Sequence, residues 1–221
     1  MNKKINVAVD GTASSGKSSV MNIVAKNLGF KFIDTGLMYR AFTKFCINEK
    51  IDFLNTNDIL KKLEEFDCIY KDDEKIFVRN KDYTAYLSDY DVTKNISYIS
   101  VVPKVREKMV EMQKQMALCG GVIMVGRDIT TVVLPEADIK LYFDCSPEVR
   151  AKRRFLQNQK NNIEPNVYED ILDGVIKRDL ADKGRSVGAL KIAKDAIVID
   201  TSNMTLEEVI NSIENKINNY L

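Results

Sequence analysis

Apolar residues along this chain keep switching between two rhythms. Short, nearly continuous apolar runs alternate with stretches where apolar residues recur every three or four positions. The first run, Ile5-Asn6-Val7-Ala8-Val9-Asp10, reads as a buried strand. Val20, Ile23, Val24 and Leu28 follow at helical spacing, and Gly29 stands where a helix would be capped. Phe30 to Asp34 predicts a second strand, and Met38, Ala41, Phe42, Phe45 and Cys46 mark a second amphipathic helix. An opening β-α-β-α order favours a parallel sheet with helices on its faces.

The rhythm breaks after Asn55. Ile59, Leu60 and Leu63 fit a short helix, while Cys68 to Tyr70 and Ile76 to Arg79 predict short antiparallel strands. The charged tip Lys71-Asp72-Asp73-Glu74 between them reads as a solvated hairpin, and about Lys62 to Ser97 reads as a small insert. The regular pattern then resumes. Val105, Met109, Met112 and Met116 stripe a helix that begins near Pro103, and such a stripe reads as core packing. Gly120-Gly121 ends it before the buried strand Val122 to Val125. Ile139 to Asp144 predicts another strand. Ser146-Pro147-Glu148 then supplies an N-cap with proline at the first helical position. Asn158 to Pro165 is polar and loop-like; Ile171, Leu172, Val175 and Ile176 mark a further helix. Ala196 to Asp200 is a last strand, and Leu206, Val209, Ile210, Ile213 and Ile217 mark a closing helix. The sum is an α/β fold with a five-stranded parallel sheet.

Composition narrows the function classes. The 221 residues are 45% hydrophobic and 29% charged, which suits one soluble globular domain. A net charge of +1 gives no bulk attraction to polymeric nucleic acid or a membrane. No apolar run approaches the roughly 20 residues that cross a bilayer. Met1 to Lys4 leads almost at once into the first strand, which argues against a signal peptide. Cysteines at 46, 68, 119 and 145 show neither zinc-ligand nor disulfide-frame spacing, and most read as core residues of a cytoplasmic protein. With no histidine, no step can use an imidazole base or ligand.

Chemistry enters with Gly11-Thr12-Ala13-Ser14-Ser15-Gly16-Lys17-Ser18, which fits G-x-x-x-x-G-K-[ST] directly behind the first strand. Glycines let main-chain N–H groups turn inward, and the following helix N-terminus adds partial positive charge. In that pattern Lys17 reaches the β- and γ-phosphates and Ser18 holds Mg²⁺. Arginines recur where predicted strands end: Arg40 after strand two, Arg127 with Asp128 after Val125, and Arg150, Arg153 and Arg154 on one helix. Arg150 and Arg154 share a helix face. Three such charges repel unless an anion lies between them, although a solvated basic face remains the alternative. Arg178-Asp179…Asp182…Arg185 follows, where Arg178 and Asp182 also fit a plain surface ion pair.

Taken together, these stretches resemble bacterial cytidylate kinases, of the nucleoside monophosphate kinase group. The likeness runs almost end to end. It rests on Val9-Asp10-Gly11 with the P-loop, Asp34-Thr35-Gly36…Tyr39-Arg40, Pro103-Lys104-Val105-Arg106-Glu107 and Gly126-Arg127-Asp128. Thr131 to Pro135, Arg150-Ala151-Lys152-Arg153-Arg154, Arg178-Asp179…Asp182…Arg185 and Asp200-Thr201-Ser202 complete it. The resemblance implies a P-loop NTPase-type three-layer fold with a monophosphate-binding insert at about 62–97 and a lid at about 150–185. It implies transfer of the ATP γ-phosphate, with Mg²⁺, to CMP or dCMP by a monomer. Gly11, Thr12, Ala13, Ser14, Ser15, Gly16, Lys17, Ser18 and Ser19 would hold ATP. Ser97, Arg106 and Asp128 would read the cytosine ring, whose amine needs an acceptor and whose N3 and O2 need donors. Thr35, Tyr39, Arg40 and Arg127 would hold the CMP phosphate end. Arg178 and Asp182 would meet the sugar, and Arg185 the phosphates. Lys17, Arg40, Arg127, Arg150, Arg154 and Arg185 would carry the catalysis, Arg150 and Arg154 from the lid. No strong base is needed, because the acceptor oxygen is already charged.

The chain departs from the family at Val125, where an Asp is usual, at Thr130, where a Gly is usual, and at Thr12, where a Pro is common. The first bears on affinity or the choice of sugar, the second on stiffness of that loop. Two other functions are open to a P-loop. Another small-molecule kinase, acting on UMP, AMP or shikimate, would not need Ser97, Arg106 and Asp128 together. A nucleotide switch would need Asn-Lys-x-Asp and Asp-x-x-Gly; Asn80-Lys81-Asp82-Tyr83 misses the first, and no Asp stands three before a Gly.

Overall fold

Residues 4–71 and 75–221 are described in the computed structural model; the tip of the expected hairpin, residues 72–74, lies outside them. Five strands form one parallel sheet in the order β2-β6-β1-β7-β8. They are β1 (Asn6–Gly11), β2 (Lys31–Asp34), β6 (Val122–Val125), β7 (Ile139–Asp144) and β8 (Ile197–Asp200). β1 is central, flanked by β6 with Val7 opposite Ile123 and by β7 with Val9 opposite Leu141.

Strand alternation divides the core in two. Ala8, Ile33 and Met124 face one side, with α2 (Thr35–Asn48), α3 (Thr56–Glu64) and α5 (Pro103–Ala117). Val7, Val9, Phe32, Ile123, Leu141 and Phe143 face the other, with α1 (Lys17–Leu28) and α8 (Leu206–Asn218). A hydrophobic layer on each face is why every central strand reads as a continuous apolar run.

The irregular stretch holds a second, antiparallel sheet of β3 (Cys68–Tyr70), β4 (Ile76–Val78) and β5 (Lys81–Asp82). It has no core of its own. Cys68, Tyr70, Ile76 and Val78 join the α2 side of the main core, and Phe66 packs on Phe42 with ring centroids 4.9 Å apart.

Three local features differ from the pattern reading. Within the expected insert, α4 (Tyr90–Ser100) is an unforeseen helix. Its sequence is rich in Thr, Asn, Ser and β-branched residues, which favour helix weakly. Tertiary contact supplies the rest: Val92 and Ile99 are buried, and Lys44 on α2 bonds Asp89 and Asp91 at 2.8 and 3.3 Å. The polar stretch from Asn158 starts as helix, because α6 (Pro147–Lys160) extends into its first three residues before ending. Last, α7 (Tyr168–Lys183) buries only Val175 among its apolar residues and leaves Ile176 and Leu180 exposed.

Phe42 joins the small sheet to the main body. Phe42→Ala should cost about 3–5 kcal/mol of unfolding free energy, read from urea denaturation.

Candidate active site

The P-loop follows the central strand. Gly11 lies against β7, where a Cβ would strike the Phe143 carbonyl oxygen, so no side chain fits. Gly16 takes φ +86° and ends the loop as α1 begins. No side chain caps that helix, which leaves its first N–H groups for an anion.

Lys17 opens α1 yet is only 6% exposed, and its Nζ donates to the Thr12 carbonyl at 3.1 Å. Burial holds the ammonium well below the ordinary lysine range; Arg127 adds to the fall, while Asp34 and Asp10 oppose it. Ser15 Oγ donates to the same carbonyl at 3.0 Å. The Thr12 hydroxyl oxygen is buried with no hydrogen-bond partner. Ser18 Oγ donates to Asp34 at 2.7 Å, and the other Asp34 oxygen caps α2 through Gly36 N–H at 2.9 Å. This places a hydroxyl and a carboxylate side by side beside Lys17, two hard oxygen donors of the kind Mg²⁺ takes alongside phosphates and water. Asp34 was not among the residues expected at the metal. Its position, ending β2 just ahead of Thr35-Gly36, was the available signal.

Buried Asp10 fixes the turn after β6. It accepts from Ile129 N–H and Thr130 N–H at 2.8 Å each and from Thr130 Oγ1 at 2.6 Å. Burial still raises its pKa above the usual carboxylate value. Thr130 thus adds a clamp that glycine could not. Val125 is fully buried, and its carbonyl accepts from Thr35 Oγ1 at 2.9 Å. The Thr35 hydroxyl proton is thus used within the protein in this structure.

The clamped turn presents Arg127 and Asp128. Arg127 Nε donates to Asp182 on α7 at 2.8 Å, and Arg185 pairs with the other oxygen of the same carboxylate. Burial alone would raise the Asp182 pKa, but Arg127 and Arg185 outweigh it and bring it below the ordinary value. Asp182 therefore holds two arginines here rather than standing free. Asp128 pairs with Arg106 of α5, both buried, and Arg106 Nε has no hydrogen-bond partner among the described residues. Tyr39 lies beside this pair, with the Arg106 guanidinium 5.9 Å from its ring centre; burial pushes its phenol up to about 12. Ser97 is exposed on α4 and, among the described residues, forms no hydrogen bond to Arg106 or Asp128.

Arg40 donates to the Leu87 carbonyl at 3.0 Å and to Thr93 Oγ1 at 3.2 Å. Its pKa is lowered by desolvation and by Arg154 and Arg127; that of Arg178 falls by desolvation, then through Arg127 and other arginines. Cations from the P-loop, α2, the β6 turn, α6 and α7 thus share one field.

The three arginines of α6 have separate protein partners, which their spacing alone did not indicate. Arg150 is fully buried: Nε donates to the Cys145 carbonyl at 2.9 Å, Nη1 to the P-loop carbonyl of Ala13 at 3.0 Å, and the guanidinium forks onto Asp179. It ties the P-loop to α6 and α7. Arg153 donates to the Thr201 carbonyl at 2.8 Å. Arg153 and Arg154 are both exposed, and Arg154 Nη2 lies 3.4 Å from Ser14 Oγ. A cavity of about 320 Å³ lies over the loop, lined by Lys17, Ser18, Arg153 and Arg154 among others. A second, of about 290 Å³, shares Ser15, Gly16, Ser19 and Arg153 and runs to Thr201, Met204 and Val209.

A phosphate loop behind the central strand of a parallel sheet, with a buried lysine of its own and arginines from α2, the β6 turn, α6 and α7 around it, defines a P-loop kinase site. Solved structures of a shikimate kinase from Bacteroides thetaiotaomicron and a gluconokinase from Sinorhizobium meliloti share the fold. Each has a TM-score of 0.50, at 11% and 12% identity, covering 97% and 98% of this chain and 98% and 95% of theirs. The family model described as cytidylate kinase matches residues 7–219, and the chain belongs to that family, a family of kinase enzymes. It is 46% identical to a cytidylate kinase of Mycoplasma capricolum subsp. capricolum, over 97% of this chain and 96% of the other. A cytidylate kinase of Streptococcus gordonii is 40% identical, over 97% and 96%. No helix among the described residues is long and apolar enough to cross a membrane.

Arg150→Ala would strand Asp179 in the interior and should cost about 3–5 kcal/mol. Arg150→Met/Asp179→Leu should recover much of that loss in urea unfolding, because neither charge is left unpaired.

Proposed function

We propose that this chain performs the reaction of its family, transfer of the γ-phosphoryl group of ATP to CMP or dCMP, with the clustered residues in distinct roles. The observation that carries the reading is the excess of cations around Lys17 next to the buried Arg106–Asp128 pair. The first demands an anion. The second offers a carboxylate acceptor beside the unpartnered Arg106 Nε donor, as an aminopyrimidine ring requires.

The P-loop amides and Lys17 hold the triphosphate in the first cavity, and the adjoining cavity receives the nucleoside of ATP. Asp128 accepts from the exocyclic amine of cytosine, and Arg106 donates to a ring acceptor. Arg40, Arg127 and Arg185 take the CMP phosphate, with Asp182 orienting the last two. Tyr39 walls that site, and Arg178 meets the sugar edge. Arg154 swings from α6 onto the transferring phosphoryl group, where positioning and positive charge supply most of the rate. Arg150 positions the loop through Ala13 and does not touch phosphate. Ser18 and Asp34 would hold Mg²⁺, which neutralises charge between the β- and γ-phosphates when bound.

The CMP phosphate oxygen attacks the γ-phosphorus, the bond from γ-phosphorus to the β–γ bridging oxygen breaks, and ADP leaves. The CMP oxygen carries its own negative charge, so no side chain needs to take a proton. Segments of about 62–97 and 150–185 close over the two substrates and exclude water, which favours CMP over hydrolysis. We place the enzyme in the cytoplasm as a monomer; its cysteines are free thiols, three of them buried, as a reducing compartment allows.

A coupled ADP-release assay across CMP, dCMP, UMP, AMP and shikimate tests the reading, with CMP or dCMP expected to win. Asp128→Ala should cut kcat/KM for CMP by about 10²-fold or more, and Arg154→Ala should lower kcat by about 10²-fold while sparing KM for CMP. Efficient use of AMP or shikimate without CMP would refute the assignment. A second outcome follows from Lys17. Its pKa is depressed in the free protein, and bound phosphates raise it again, so the complex holds more protons between the depressed and ordinary values. Calorimetry of ATP binding at alkaline pH, in buffers of different ionisation enthalpy, should show proton uptake that Lys17→Met abolishes.

A further inference from the structure

We infer that Gly188, in the segment joining α7 to β8, determines base specificity by letting bare main chain press on the Arg106–Asp128 pair and hold it in reading geometry. The inference rests on the proposed base-reading role of that pair.

Gly188 takes φ +64°, and a Cβ there would fall on Arg106 Nη2, on its Cζ and on Asp128 Oδ2. No shift of one flexible tip relieves this, since the guanidinium and the carboxylate are locked together and buried. The segment is anchored just beyond the contact. Leu190 is buried, and its N–H donates to the Asp182 carbonyl at 2.9 Å. Three residues before Gly188, Arg185 pairs with the Asp182 side chain. One short segment therefore spans a phosphate-facing arginine and the base-facing pair, with Asp182 fixing it at both ends. Backbone pressed on the guanidinium leaves little freedom for Arg106 to turn from Asp128. Its unpartnered Nε keeps one direction, and Asp128 keeps an oxygen toward the amine that separates cytosine from uracil. A side chain at 188 would tilt the pair and blur that distinction without touching the P-loop, which lies on other elements.

Two properties of Gly188 could matter, its left-handed backbone and its lack of Cβ, and they separate experimentally. Asparagine tolerates φ above zero far better than alanine but carries the same Cβ. Gly188→Ala and Gly188→Asn should both lower the CMP-to-UMP ratio of kcat/KM by about tenfold or more, with KM for ATP within about twofold of the parent. An unchanged ratio in either variant would overturn the inference, as would equal losses toward ATP and CMP. If neither variant folds, hydrogen exchange on the parent enzyme decides. CMP should protect the amides of residues 186–190 and ADP should not; equal protection, or none with CMP, overturns it. Asp128→Ala is assayed alongside. A ratio unchanged there removes the base-reading role and this inference with it, whereas loss there with Gly188→Ala unaffected removes the Gly188 role alone.

Discussion

Positive charges at the P-loop are held closer together than their neighbouring carboxylates can balance. Lys17 is buried and pulled below the ordinary lysine range by desolvation and Arg127. Arg40 is lowered by desolvation and by Arg154 and Arg127, and Arg178 by desolvation and by Arg127, Arg40 and Arg185. Such crowding is unfavourable in the isolated fold and is relieved by a polyanion. The cations stand on different elements, which brings them to one place from several directions.

Not every arginine belongs to that group. Arg150 has the spacing of an anion binder, yet it is matched by Asp179 and two carbonyls inside the protein. A guanidinium with five donors in a fixed fork can be satisfied this fully only by acceptors from several elements at once. Satisfied, it fixes the loop from behind. Arg154, one turn further along α6, has only a long contact to Ser14 and keeps most of its donors for solvent or substrate. Satisfaction of donors, rather than burial or position on the helix, separates structural from available charge here.

In the proposed roles, the turn after β6 lies between the two substrates. Asp10 precedes the P-loop on β1 and grips Ile129 and Thr130, so the segment carrying Arg127 and Asp128 is fixed to the strand that carries the phosphate cradle. On the proposed reading, one buried carboxylate between neighbouring parallel strands then sets the relative placement of donor and acceptor. Phosphoryl transfer depends on such in-line positioning more than on any acid or base, which is how a chain without histidine suffices.

Much of this was readable from residue order. The alternation of apolar runs and helical stripes determined the five-stranded parallel sheet, because strands covered on both faces must be continuously apolar. The P-loop motif and the end-to-end family resemblance determined the phosphate cradle and the class of enzyme. Helix α4 was not readable, since its residues favour helix weakly and Lys44 and the α2 face supply what they lack. The partners of Arg150, Asp182 and Thr35 were not readable either, nor was the contact of Gly188 with Arg106. The Arg150–Asp179, Arg127–Asp182 and Thr35–Val125 pairings join positions 29, 55 and 90 residues apart in sequence. One-dimensional spacing reports what shares a helix face, whereas which cation meets which carboxylate is decided only when packed elements bring distant side chains within hydrogen-bonding reach.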